Sequence, residues 1–90
     1  MIIISYDIKN NKLRTRFSKM LSRYGAIRLQ YSVYEVNNTR RIIEIITSQI
    51  VDRFGPLFTP EDSVVIFEVL SRNVIKFGNA IHRDQDVVFI

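Results

Sequence analysis

The chain contains no cysteine, a single histidine and no apolar run of the length a bilayer requires. Each absence removes a class of chemistry. Without thiols there is neither a disulfide framework nor a thiolate nucleophile, and a lone His82 supplies no histidine cluster, so zinc sites and Cys/His catalysis are excluded. Any metal must then be a hard ion held by oxygen. No cationic stretch followed by a long apolar one stands at the N-terminus, so the expectation is a soluble, non-exported protein, cytoplasmic by default and with no membrane partner.

What is present describes a single domain, residues 1–90, with 47% hydrophobic content. A chain this short buries only roughly 60–65% of the surface its unfolded form exposes, so a partner surface is expected. The net charge of +4 conceals a polarity: residues 1–41 hold nine lysines and arginines against two acids, and residues 42–90 hold four against seven. Such asymmetry fits a polyanion-binding first half or a lopsided solvated surface, and charge alone does not separate them.

The β-branched run Ile2, Ile3 and Ile4 predicts a buried strand over residues 2–7. Alternation places Ile2, Ile4 and Tyr6 on one face and Ile3, Ser5 and Asp7 on the other. Residues 11–24 predict a helix: Leu13, Phe17, Met20, Leu21 and Tyr24 share one face, Asn10 or Asn11 caps the start and Gly25 provides a left-handed stop. On that helix Lys12, Arg16, Lys19 and Arg23 repeat the same spacing and form a basic stripe beside the apolar face. Arg14 lies on the opposite flank, near Asp7. Residues 27–36 alternate as one extended segment, with Ile27, Leu29, Tyr31 and Val33 on one side and Arg28, Gln30, Ser32 and Tyr34 on the other; no turn signal marks a hairpin inside it.

A second helix is expected over about 39–54, capped by Asn38 or Thr39 and stopped at Gly55-Pro56. Strands are expected at 63–70 and 74–77. Residues 79–90, ending in four apolar residues, read as an arm whose edge strand pairs with a partner or a second copy. The order describes an α+β, ferredoxin-like βαββαβ sandwich with an extra C-terminal edge strand, and its open sheet face is most simply covered in a homodimer.

The stretches "ISYDI", "LRTRFSKMLSRYG" and "RLQYSVYEV" together resemble the CRISPR-associated Cas2 family, the small subunit of the spacer-acquisition machinery. The likeness covers residues 2–37 well and the whole chain in length and element order. It implies a ferredoxin-like homodimer acting as a Mg2+-dependent endonuclease on RNA or DNA. It also implies a non-catalytic bridge between copies of the CRISPR integrase, holding duplex DNA. By position it makes Asp7 the metal-binding acid and Tyr6, Arg14, Arg16, Arg28 and Tyr34 the supporting catalytic positions.

Phosphodiester hydrolysis needs a metal-activated water and neutralisation of phosphate charge, tasks suited to carboxylates and arginines. One Asp per chain is a thin site, but Mg2+ keeps several waters and two Asp7 residues across a dimer axis would hold it. The competing role for Asp7 is to accept amide hydrogen bonds at the strand end. Lys12, Arg16, Lys19, Arg23 and Arg28 are the expected nucleic-acid contacts, with solvated side chains as the alternative. Tyr34 either stacks on a base or fills a dimer interface. Tyr24 and Tyr31 are assigned to the core, His82 to a surface or interface, and Glu35, Glu44 and Glu68 to solvent. A toxin-type ribonuclease of the same architecture is a third reading.

Overall fold

The computed structural model describes residues 1–80. Its elements are β1 (Ile2–Asp7), α1 (Asn11–Arg23), β2 (Ile27–Gln30), β3 (Val33–Val36), α2 (Arg40–Gln49) and β4 (Ser63–Glu68). The strands form one antiparallel sheet in the order β2-β3-β1-β4, the ferredoxin-like arrangement, with both helices packed on one face. No helix among the described residues is long and apolar enough to cross a membrane.

Each end of the first helix is set by a local residue choice. Asn10 stays extended and its side chain accepts the Leu13 N–H at 2.9 Å, satisfying one of the free first-turn donors. Gly25 terminates the helix with a φ of +86°, a conformation that a side chain at this position would strain. Between those ends α1 lays Leu13, Phe17, Met20 and Leu21 onto Ile2, Ile4 and Tyr6 of β1. From α2 and the wider helical turn at Ile50–Phe54 come Ile46, Ile50 and Phe54. Phe17 is the hub of this core, meeting Tyr6 edge-on at 4.8 Å and Phe54 edge-on at 5.2 Å between ring centroids.

Three expectations from sequence are corrected by the fold. Residues 27–36 form the hairpin that the βαββαβ order requires, and its turn, which no sequence signal marks, falls at Tyr31-Ser32 without glycine. A register shift between Arg28 and Gln30 bends the strand into the turn, and the Tyr6 N–H fixes the reversal by donating to the Ser32 carbonyl at 3.1 Å. This lifts Tyr31 out of the ladder, so it is exposed rather than in the core; Tyr24 is half-buried against the core. Next, β4 ends at Glu68, and residues 74–77 are not a strand but part of an irregular strap following a short turn at Ser71–Asn73.

The third correction is Glu35, which is 8% exposed rather than solvated. It stands on the face opposite the helices, beside Ile3 of β1 and Ile27 of β2. The strap crosses that face, reaching β2 at the turn Gly78–Ala80, and sets the Lys76 ammonium 2.5 Å from Glu35 Oε1. That oxygen makes no well-aligned hydrogen bond, so the pair is held by charge. None of the described residues covers the rest of the face: Val65 and Phe67 are about half exposed, and the strap turns Ile75 and Phe77 outward at 77% and 80%. The expected edge strand and His82 lie outside the described residues.

Candidate functional site

Asp7 ends β1 on the uncovered face, opposite Ser63 of β4. Its side chain is 63% exposed, and Lys9 Nζ lies 3.3 Å from each carboxylate oxygen. The loop that follows is held on two sides. Arg14 donates from Nη1 to the Ile8 carbonyl at 2.7 Å and from Nη2 to Asn11 Oδ1. Asp62 accepts the Lys9 N–H at 2.9 Å and the Thr59 N–H at 2.8 Å. These two backbone N–H donors, Lys9 first, hold the Asp62 carboxyl below the usual carboxylate range, keeping it an ionised clasp. No local pattern announces that role, because the clasp joins segments far apart in the chain.

Asp7 therefore accepts no backbone hydrogen bond in the described structure, and the competing role of accepting amide hydrogen bonds at the strand end is filled by Asn10 and Asp62. No cluster of three or more acids or histidines occurs among the described residues. At the end of β1 a protomer thus offers a hard cation the exposed Asp7 carboxylate without a cluster of further acids around it among the described residues. One carboxylate fits Mg2+ only as part of a set completed by waters and by oxygens from outside the protomer.

The other expected positions fall on the helix side of the sheet. Arg28 and Tyr34 are register partners across the hairpin. Arg28 Nε donates to the Tyr34 hydroxyl at 3.0 Å and its Nη2 to Ser18 Oγ at 3.2 Å, while the Ser18 and Tyr34 hydroxyls stand 2.7 Å apart. The Arg28 guanidinium lies between two rings, 5.4 Å from the centroid of Tyr34 and 5.7 Å from that of Tyr31. The hydrogen bond to Tyr34 pushes the Arg28 pKa further up. Tyr6 stacks on Tyr34 at 6.1 Å, and burial, then Tyr34, raises the pKa of its phenol.

Tyr34 is 2% exposed and Tyr31 67%, the reverse of the roles read from sequence. No base reaches the buried ring of Tyr34. Ser18 escapes a reading of the sequence because a serine within an amphipathic helix carries no local signal; only the hairpin brings Arg28 and Tyr34 to it. Lys12, Arg16, Lys19 and Arg23 are all exposed along α1, beside its buried face, as one stripe. Asp7 and Arg28 occupy opposite faces of the sheet, so the expected catalytic positions do not form one cluster within a protomer.

The family model described as CRISPR associated protein Cas2 matches residues 1–76. The chain belongs to the CRISPR-associated Cas2 family. Two relatives from Methanospirillum hungatei JF-1 carry the names CRISPR-associated endoribonuclease Cas2 2 and CRISPR-associated endoribonuclease Cas2 1. The first is 36% identical, covering 79% of this chain and 74% of its own; the second is 31% identical, covering 76% and 68%. A crystal structure described as Cas2 superposes with a TM-score of 0.68 at 24% identity over 99% of this chain and 93% of its own, which establishes the Cas2 fold. A hypothetical protein, TT1823 from Thermus thermophilus, superposes with a TM-score of 0.59 at 25% identity, covering 77% of this chain and 79% of its own.

Proposed function

We propose that this Cas2 chain is an endonuclease that hydrolyses phosphodiesters of RNA or DNA with Mg2+, acting as a homodimer in which two Asp7 carboxylates, one from each copy, hold the ion. The observation that carries this reading is the exposure of Asp7: among the described residues it accepts nothing from the backbone and pairs only with the exposed Lys9, so a purely structural role leaves it unexplained. The endoribonuclease names of both relatives support the reaction class.

A second copy is the occupant that completes this site. The apolar half-exposed Val65 and Phe67 lie on the same face as Asp7, so covering them also brings a second carboxylate toward the first. Two carboxylates brought together repel, and a divalent cation relieves the repulsion. When bound, Mg2+ would supply a lowered water pKa and charge neutralisation at the phosphate. Lys9 must give up Asp7 to the ion, which costs little because the pair is exposed. Cleavage of labelled RNA and DNA by the full chain should appear with Mg2+, vanish with EDTA and return when Mg2+ is restored. Cleavage that persists in EDTA would rule out a metal-dependent reaction.

The exposed stripe on α1 favours a second role, compatible with the first: holding duplex DNA as a bridge between copies of the CRISPR integrase during spacer acquisition. Duplex affinity should fall steeply with salt, because each phosphate neutralised releases counterions. Replacing Lys12, Arg16, Lys19 and Arg23 by Ala should flatten the plot of log affinity against log salt by about 0.9 for every phosphate that loses its cation. An unchanged slope in that fourfold variant would place the duplex elsewhere.

A further inference from the structure

Between α1 and the β2–β3 turn lies a cleft of about 200 Å³, on the face of the sheet opposite Asp7. Its walls carry three cations, Arg14, Lys19 and Arg28, the hydroxyls of Thr15, Ser18 and Tyr6, and, among the described residues, no acid. Two of its cations are already oriented: Arg28 by Tyr34 and Ser18, and Arg14 by the loop carbonyls. A guanidinium has five donors, and Arg28 commits two of them within the chain. At the mouth stands Tyr31, a large aromatic exposed at the tip of the hairpin, where loops commonly carry binding residues.

The volume decides what fits. Sites that enclose a whole drug-sized ligand run to about 300–1,000 Å³. This cleft is smaller and takes a phosphate with its sugar, leaving the attached base outside, where the Tyr31 ring offers a platform. A base in a duplex is already paired and stacked and cannot reach that platform, whereas an unpaired base can. We propose that the cleft binds one unpaired nucleotide of RNA or DNA, its phosphate among Arg14, Lys19 and Arg28 and its base stacked on Tyr31. The inference rests on the nucleic-acid reading above and adds a strand preference to it: Lys19 belongs both to the duplex-facing stripe and to the cleft, so the cleft receives a strand where it leaves a duplex.

The test is fluorescence anisotropy of the full chain with labelled single-stranded RNA, single-stranded DNA and duplex DNA. Loss of one stacked base predicts that Tyr31→Ala lowers single-strand affinity about tenfold, that Tyr31→Phe retains it, and that duplex affinity changes less than about twofold. A loss confined to single-stranded RNA assigns the cleft to a ribonucleotide; a loss on both single strands assigns it to base and phosphate alone. Unchanged single-strand binding by Tyr31→Ala overturns the inference and leaves the wider reading standing, as does an equal loss on single strands and duplex. Failure of the unaltered chain to bind any of the three removes the nucleic-acid reading and this inference with it.

Discussion

Replacing Asp7 with Asn should lower Mg2+-dependent cleavage of both RNA and DNA by about a hundredfold or more while leaving the melting temperature of the protein unchanged. Asn keeps the shape and removes the charge that attracts a hard cation. Among the described residues the carboxylate it replaces has no partner except Lys9, and that pair is exposed on both sides, so its contribution to stability is about 0–1 kcal/mol. Most chemistry and little stability should therefore be lost. In EDTA the Asp7→Asn variant should dimerise at least as tightly as the unaltered chain, because two ionised carboxylates no longer face each other. Arg14 makes a useful contrast. It holds the Ile8 carbonyl and Asn11, so Arg14→Ala should lower activity and stability together and would not distinguish a phosphate contact from a loop clasp. Equal cleavage by the Asp7→Asn variant and the unaltered chain, measured on the same RNA and DNA substrates, contradicts the assignment.

The second large effect is on stability. Lys76→Ala should lower it by about 2–4 kcal/mol, because Glu35 then keeps a nearly buried charge with no counterion among the described residues. This lies below the range for a fully buried pair because the Lys76 side chain retains 24% exposure. For a domain of this size each kcal/mol shifts the melting temperature by about 4–8 °C, so the change is readily seen by thermal melting at fixed protein concentration. The paired replacement Glu35→Gln with Lys76→Met should recover most of the loss, since it removes both charges rather than one. If Lys76→Ala melts with the unaltered chain, the strap contributes nothing to the fold and Glu35 finds its compensation elsewhere.

Much of this architecture is legible in the sequence because its signals are local. The isoleucine run of β1, the helical spacing of Leu13, Phe17, Met20 and Leu21, the Asn10 cap and Gly25 all act within a few residues, and each element stands where they place it. The hairpin is hidden because its reversal at Tyr31-Ser32 uses no glycine or proline and depends on a bond from Tyr6 in another strand. Without that turn Tyr31 and Tyr34 exchange roles, since strict alternation assumes an unbroken strand. Glu35 is illegible for a related reason: it alternates onto the uncovered face, and only the strap, arriving about forty residues later in sequence, makes that position dry. Asp62 and Ser18 likewise acquire their partners through tertiary structure alone.

A single site built from two Asp7 carboxylates is the centre of the proposed mechanism, and subunit mixing tests it most directly. The unaltered chain and its Asp7→Asn variant are mixed in equal amounts, allowed to exchange subunits fully, and assayed for Mg2+-dependent cleavage at constant total protein. Random pairing makes about one quarter of the dimers fully unaltered, so a shared site predicts about one quarter of the starting activity. Activity near one half would mean that each protomer cleaves with its own Asp7, and the shared metal site would be contradicted.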